Sequence, residues 1–287
     1  MLKINSFLTD QMRYTQGIQS IANMPKRLWL YGSLPAHKTP TVAIVGTRKP
    51  TPYGREVTYQ LSYELAKRGI VVISGLALGV DGIAHQAALD ARGTTIAILP
   101  TPLESIHPQT HRQLAECIAS SGGALLSEYG AEDRVFKMNF VARNRIVTAL
   151  SDAVLITEAA ARSGTLTTAN FALEQGKPVM VVPGNINSPM SAACNQLLKV
   201  GATPITSVDD VLQELGLRQS ARQTKLPLAE TKEEDTLIKL LASGVREGDE
   251  LHLKSGLTAA TYSQTMSMLE IEGKIKALGS NQWAIGQ

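Results

Sequence analysis

Thr41-Val42-Ala43-Ile44-Val45 runs into Gly46-Thr47-Arg48-Lys49-Pro50-Thr51-Pro52-Tyr53-Gly54, and a helical pattern follows over residues 55–68, closed by Gly69. The first five residues are β-prone and show no polar alternation. Such a strand is buried on both faces, as in a parallel sheet covered by helices. The unit repeats outward from here. Strands are expected at 70–73, 94–99, 124–126, 153–156, 178–182 and 203–205. Helices are expected at 80–91, 107–120, 139–150, 165–175, 190–199 and 208–215. Apolar strands alternating with helices predict an α/β, doubly wound, mostly parallel sheet with right-handed crossovers. Ligands of such sheets bind beyond the carboxyl ends of the strands, so the loops after Val45, Ile73, Leu99, Leu126, Ile156 and Val182 are where function is expected.

Ahead of this block, residues 1–40 read as a short N-terminal extension. It holds a helical stretch over 18–24, stopped by Pro25, and an extended run at Trp29-Leu30-Tyr31. The main domain is expected over 41–218. Residues 219–234 are polar, contain Pro227 and read as a linker. Residues 235–287 read as a small domain, with helices near 237–241, 251–254 and 258–270 and a hairpin around Gly279-Ser280-Asn281. Three helices followed by a hairpin is the outline of a winged helix.

The 287 residues carry 28 Lys+Arg against 25 Asp+Glu, a net charge of +3 that permits a nucleic-acid partner without demanding one. The 44% apolar content excludes a disordered or collagenous chain. Only Cys117 and Cys194 are present, which argues against a disulfide framework or a cysteine-based zinc site. No signal peptide is recognisable, and the longest apolar stretch, 70–84, is interrupted by Ser74, Gly75, Gly79, Asp81 and Gly82. A cytoplasmic protein with no membrane partner is expected.

Four loops carry chemistry. Gly46-Thr47-Arg48 leaves a strand and enters a helix start, where free N–H groups favour an anion and Arg48 adds a guanidinium fork. Ser74-Gly75 through Gly79-Val80-Asp81 to His85 lets backbone pass close to a ligand. There Asp81 either caps the helix or pairs with His85 for acid–base work, and capping is the commoner arrangement. Lys137 and Phe140 are three residues apart, a spacing that suits a phosphate contact beside a stacked base, with core packing as the alternative for Phe140. Arg143 and Arg145 cannot share a helical face, so one faces the ligand and the other a carboxylate or solvent. Ser163-Gly164-Thr165 opens another helix and a second anion site.

Taken in order, Val45-Gly46-Thr47-Arg48, Ser74-Gly75-Leu76-Ala77, Gly79-Val80-Asp81, Ala84-His85, Ser127-Glu128, Phe140, Arg143-Asn144-Arg145, Ser163-Gly164-Thr165-Leu166, Pro183-Gly184, Asn195 and Gly201-Ala202 resemble the DprA (Smf) family of DNA-processing proteins. The resemblance runs over about residues 25–215. It implies an extended Rossmann-like domain that binds single-stranded DNA regardless of sequence. It further implies homodimers and the loading of RecA recombinase on incoming strands that it protects during natural transformation. By that resemblance Arg48, Lys137, Phe140, Arg143, Asn144, Ser163, Gly164 and Thr165 contact nucleic acid, and Gly46, Thr47, Ser74, Gly75, Asp81 and His85 line the pocket. No catalytic residue, metal or cofactor is implied. The sequence departs from the family where Pro100-Thr101-Pro102-Leu103-Glu104 replaces a glycine-rich turn, where His107-Pro108 replaces Tyr-Pro, and where Ala193 replaces a glycine. Prolines change the backbone shape of that loop, which puts its part in the pocket in question.

Two other functions compete. The fold is also similar to nucleotide-binding, nucleoside-phosphate-processing enzymes of the lysine-decarboxylase-like group, but Thr168 stands where their catalytic Glu belongs. A duplex-DNA regulator would read through the helix at 258–270, which has no Lys or Arg. Residues 221–287 hold 8 basic and 9 acidic residues, so the positive charge lies in the larger domain. The small domain reads instead as a protein-contact module, with Met266, Met268 and Leu269 as its core.

Overall fold

The computed structural model describes residues 4–9, 13–217, 229, 231–279 and 281–285. The chain divides into two units, Met1–Arg218 and Gln219–Gln287. In the first, the strands are β1 (Ile4–Leu8), β2 (Arg27–Gly32), β3 (Thr41–Val45), β4 (Val71–Ser74), β5 (Thr95–Leu99), β6 (Ala124–Ser127), β7 (Ala153–Ile156), β8 (Val179–Val181) and β9 (Thr203–Pro204). The helices are α1 (Pro52–Lys67), α2 (Val80–Asp90), α3 (Arg112–Ser120), α4 (Asn139–Ala142), α5 (Asn144–Leu150), α6 (Thr165–Glu174), α7 (Ala192–Lys199) and α8 (Val208–Glu214).

The strands form one sheet in the order β1-β2-β6-β5-β4-β3-β7-β8-β9. From β6 to β9 neighbours pair in parallel, while β1 and β2, drawn from the N-terminal extension, add antiparallel to the β6 edge. Alternate residues of each central strand feed opposite faces. Val42, Ile44, Val72 and Leu155 join one cluster under α1, α2 and α8. Ala43, Val45, Ile73 and Ile156 join the other, under α5, α6 and α7. Ile44 and Ile73 are fully buried, and each such side chain contributes about 1.5–3 kcal/mol. The chain builds outward from β3 through β4, β5 and β6, then crosses back to β7. The sheet therefore has its switch point between β3 and β7, the place where open α/β sheets hold ligands.

Three expected helices differ. In place of a helix over 18–24, a 3-10 helix spans Arg13–Ser20. Thr15, Ile18 and Ile21 are all buried at a spacing of three, which matches three residues per turn. The helix expected over 139–150 is split at Arg143, where Ile146 N–H donates to the Arg143 carbonyl across a tightened turn. The helix expected from 107 begins only at Arg112, after Pro108 and a short 3-10 turn at Gln109–His111.

The second unit contains α9 (Lys232–Ala242), α10 (Gly248–Ser255), α11 (Ala259–Ile271) and a hairpin of β10 (Ile275–Gly279) and β11 (Gln282–Ile285). This is a winged helix. Leu237, Ile238, Leu251, Met266 and Leu269 form its core, whereas Met268 is 47% exposed. The linker expected over 219–234 falls largely outside the described residues, and its last part is not linker, since Thr231 caps α9 and 232–234 form its first turn. Among those described, no helix is long and apolar enough to cross a membrane.

Candidate functional site

Beyond the carboxyl ends of β3, β4 and β5 lies a small cavity of about 60 Å³ lined by Arg48, Gly75, Ala77, Leu78, Pro100, His107, Pro108, Phe140 and Arg143. The loop after β3 and the start of α2 meet at its edge. Val80 N–H donates to the Thr47 carbonyl at 3.1 Å, and a Cβ on Gly79 would lie 2.4 Å from that same oxygen. Gly79 also has φ +80°, so glycine is needed there on both counts. This abutment leaves Arg48 exposed at the rim.

Arg143 forms the floor. It is 5% exposed, and its guanidinium donates to the Gly75 and Ile98 carbonyls and to Asn144 Oδ1, 3.1 Å from Nε. A Cβ on Gly75 would sit 2.3 Å from that guanidinium. Burial lowers the Arg143 pKa to about 10, Asp81 opposes the shift and Arg48 adds to it. Arg143 therefore remains charged at neutral pH, and two arginine charges converge on one cavity. Arg145 points elsewhere, into a bidentate pair with Glu128 at 2.7 and 2.8 Å. The two arginines thus take the separate faces that their spacing requires.

Phe140 is half-buried and lines the cavity, so it is not core. Its ring meets His107 edge-on, with centroids 5.2 Å apart and planes at 86°. Lys137 is exposed one turn earlier, its carbonyl accepting from Phe140 N–H. The proline-bearing loop contributes directly, through Pro100, His107 and Pro108. In the sequence these residues stand out only as a departure from the family pattern, not as a wall of the site. Their signal was position, since they follow a strand end.

Asp81 and His85 do not form a pair. The Asp81 carboxylate accepts from Gly75 N–H at 3.0 Å and Ala77 N–H at 3.4 Å, fastening the loop before α2. Burial raises its pKa and Arg143 pulls it back. His85 is fully buried, with Nδ1 2.7 Å from Thr95 Oγ1. Thr95 gives its own proton to the Val72 carbonyl, so His85 Nδ1 must donate. Burial, with smaller repulsion from His111 and Arg143, lowers the His85 pKa to about 3. Ser74 is buried and donates to the Ile44 carbonyl, tying β4 to β3.

At the switch point an open pocket remains, lined by Thr51, Tyr53, Glu158, Pro183, Gly184 and Asn185, but a carboxylate of the chain already holds the helix start. The start of α1 was expected to offer free N–H groups to an anion, but the Glu158 carboxylate occupies that place. It accepts from Thr51 N–H at 2.8 Å and from the Thr51 hydroxyl at 2.6 Å, and it is 2% exposed. Gly54 makes room for it, since a Cβ there would fall 2.3 Å from a Glu158 oxygen. The chain supplies its own anion to the helix dipole. Thr47 N–H donates to the Glu158 carbonyl at 2.8 Å, which also secures the Gly46-Thr47 turn. Ser163 and Thr165 satisfy one another at the start of α6, hydroxyl to hydroxyl at 2.8 Å. Ser163, Gly164 and Thr165 do not line the cavity. Asn195 bonds both backbone groups of Gly184, at 3.1 and 3.3 Å. Among the described residues no group of His, Cys, Asp and Glu is placed to hold a metal ion.

Residues 5–216 match the family described as DNA recombination-mediator protein A, and residues 219–281 match a DprA winged helix domain. The chain is 40% identical to Protein Smf of Escherichia coli K12 over 206 residues, which cover 72% of this chain and 55% of that one. It is 37% identical over 213 residues to DNA processing protein DprA of Bacillus subtilis 168, covering 74% and 71%. The chain thus spans little more than half of the first of these relatives. DNA processing protein A from Streptococcus pneumoniae superposes with a TM-score of 0.69 at 37% identity over 74% of each chain. DNA processing protein A from Helicobacter pylori, solved for its single-stranded DNA binding mode, superposes with a TM-score of 0.65 at 35% identity over 75% and 96%.

Proposed function

The chain belongs to the DNA recombination-mediator protein A family, and from that premise we propose that it binds single-stranded DNA without regard to sequence. The observation that carries this reading is the cavity itself. An exposed arginine, a buried charged arginine and a half-buried aromatic ring converge at the carboxyl ends of β3, β4 and β5. Arg48 and Lys137 hold phosphates, Phe140 stacks a base, and Arg143 lends its charge from the floor while Asn144 steadies it. Stacking tolerates any base, so such a site does not select sequence.

Glu158 supports a binding role over nucleotide chemistry. A carboxylate in the switch crevice repels a nucleotide phosphate from the place where this fold ordinarily accepts one. Thr168, buried in α6, cannot supply a catalytic carboxylate either. Within this proposal the protein works as a homodimer in the cytoplasm, protects incoming strands and loads RecA recombinase on them. The family resemblance and the resemblance of the pocket motifs support that role. The winged helix, whose α11 has no Lys or Arg, serves protein contact.

Fluorescence anisotropy with a labelled single-stranded oligonucleotide, a duplex competitor and a salt series tests the core of the proposal. The expected result is binding that weakens steeply with salt and that duplex competes for poorly. Equal competition by duplex, or no binding at low salt, overturns it. RecA filament formation on strands precoated by a strand-protecting protein, with and without this chain, tests the loading step.

A further inference from the structure

His107 has space on both sides. Beside the first cavity lies a second, larger groove of about 670 Å³, lined by Thr101, Glu104, Ser105, Ile106, His107, Gln109, Arg112 and Val135. His107 is shared by both cavities, so the two adjoin. The groove is chemically unlike the first. Ile106 and Val135 give it apolar walls. The Ser105 hydroxyl and the Gln109 amide are committed to no hydrogen bond within the described residues, so they are available to a ligand's edge. Arg112 is exposed and, among the described residues, makes only an i,i+4 contact with Glu116, at 3.3 Å. Glu104 makes the groove unsuited to several phosphates at once. Apolar faces, hydrogen-bonding edges and a single cation fit a nucleoside with one flanking phosphate.

We propose that this groove is a second nucleoside subsite for the same strand, in which a base lies between His107 and Val135, Gln109 and Ser105 meet its edge, and Arg112 takes the adjoining phosphate. The inference rests on the single-strand reading of the first cavity. It gives a physical role to the loop where the sequence departs from its family. His107 stands edge-on to Phe140 on one side and offers its imidazole to a base on the other, so the ring planes turn through 86° between the two sites.

The test is anisotropy on the full chain with oligothymidylates graded from about 2 to about 16 nucleotides, a range that brackets the site sizes of single-strand binders. The wild type gains affinity as the oligomer grows long enough to reach the second groove. Gln109→Ala loses about fivefold of that gain. Arg112→Ala loses the gain and flattens the salt dependence of the long oligomer by about 0.7 in log–log slope, the release of one phosphate contact, and Arg112→Lys restores most of it. Arg48→Ala weakens every length and keeps the gain. Both groove residues are on the surface, and far-UV circular dichroism verifies that the variants fold. If Arg112→Ala and Gln109→Ala keep the full gain while Arg48→Ala weakens binding, the second subsite is wrong and the first stands. If Arg112→Ala weakens all lengths equally, the groove is not a separate subsite. If Arg48→Ala binds like the wild type, the single-strand reading of the first cavity falls, and this inference with it.

Discussion

Arg48 and Phe140 divide the binding work between charge and stacking, and single substitutions separate the two. Arg48→Ala lowers affinity for a single strand and flattens the log–log salt slope by about 0.7, because one phosphate contact is gone. Phe140→Ala costs about 1–3 kcal/mol in binding with little change in slope, because an uncharged contact is lost. A salt series on both variants checks the pair. Arg143 behaves differently, since it holds up the floor. Arg143→Ala strips two carbonyls of their donor and leaves the buried Asp81 without its compensating charge. It should destabilise the fold by about 3–5 kcal/mol, read by urea denaturation. His85 makes stability depend on pH. Its folded pKa of about 3 lies below the unfolded value near 6.5, so between these limits the unfolded chain binds the extra proton. Stability then falls as pH falls, by about 1.4 kcal/mol per unit once well below 6.5. His85→Leu removes that contribution, and denaturation curves from pH 7 down to pH 5 should be flatter than those of the wild type.

The elements place these residues by contacts between loops. The loop after β3 is fixed from two sides, by Val80 N–H on the Thr47 carbonyl and by Thr47 N–H on the Glu158 carbonyl. The start of α1 carries an N-cap, Thr51, whose hydroxyl accepts from Gly54 N–H while it donates to Glu158. Glu158→Gln keeps the size of that side chain and removes its charge from the helix start. It should lower stability by about 1 kcal/mol, measured by urea denaturation. The split between α4 and α5 turns Arg143 inward while Phe140, three residues earlier, stays at the cavity wall. An unbroken helix is what residue periodicity suggests, because a single tightened turn leaves the apolar pattern intact.

At the scale of the molecule, every residue of the cavity and of the adjoining groove belongs to the first unit, Met1–Arg218. A chain ended after Leu217 should therefore bind single strands as tightly as the full chain, as anisotropy on both would show. That unit has its own core on both faces of the sheet, the condition for folding alone. The antiparallel addition of β1 and β2 makes residues before Thr41 part of that unit, so the same fragment must keep them.

The sheet was legible in the sequence because burial on both faces leaves runs such as Thr41-Val42-Ala43-Ile44-Val45 and Ala153-Val154-Leu155-Ile156 with no other place to go. The arginine spacing likewise dictated that Arg143 and Arg145 part company. Local patterns carry that information, since strand period and helix period are properties of neighbouring residues. They do not carry which loop meets which. Only the tertiary structure set Glu158 on the start of α1, parted Asp81 from His85, and put His107 against Phe140 from 33 positions away in the chain. Those pairings follow from strand order, which side-chain periodicity leaves open. A loop's ligand is decided by the loop that strand order sets beside it.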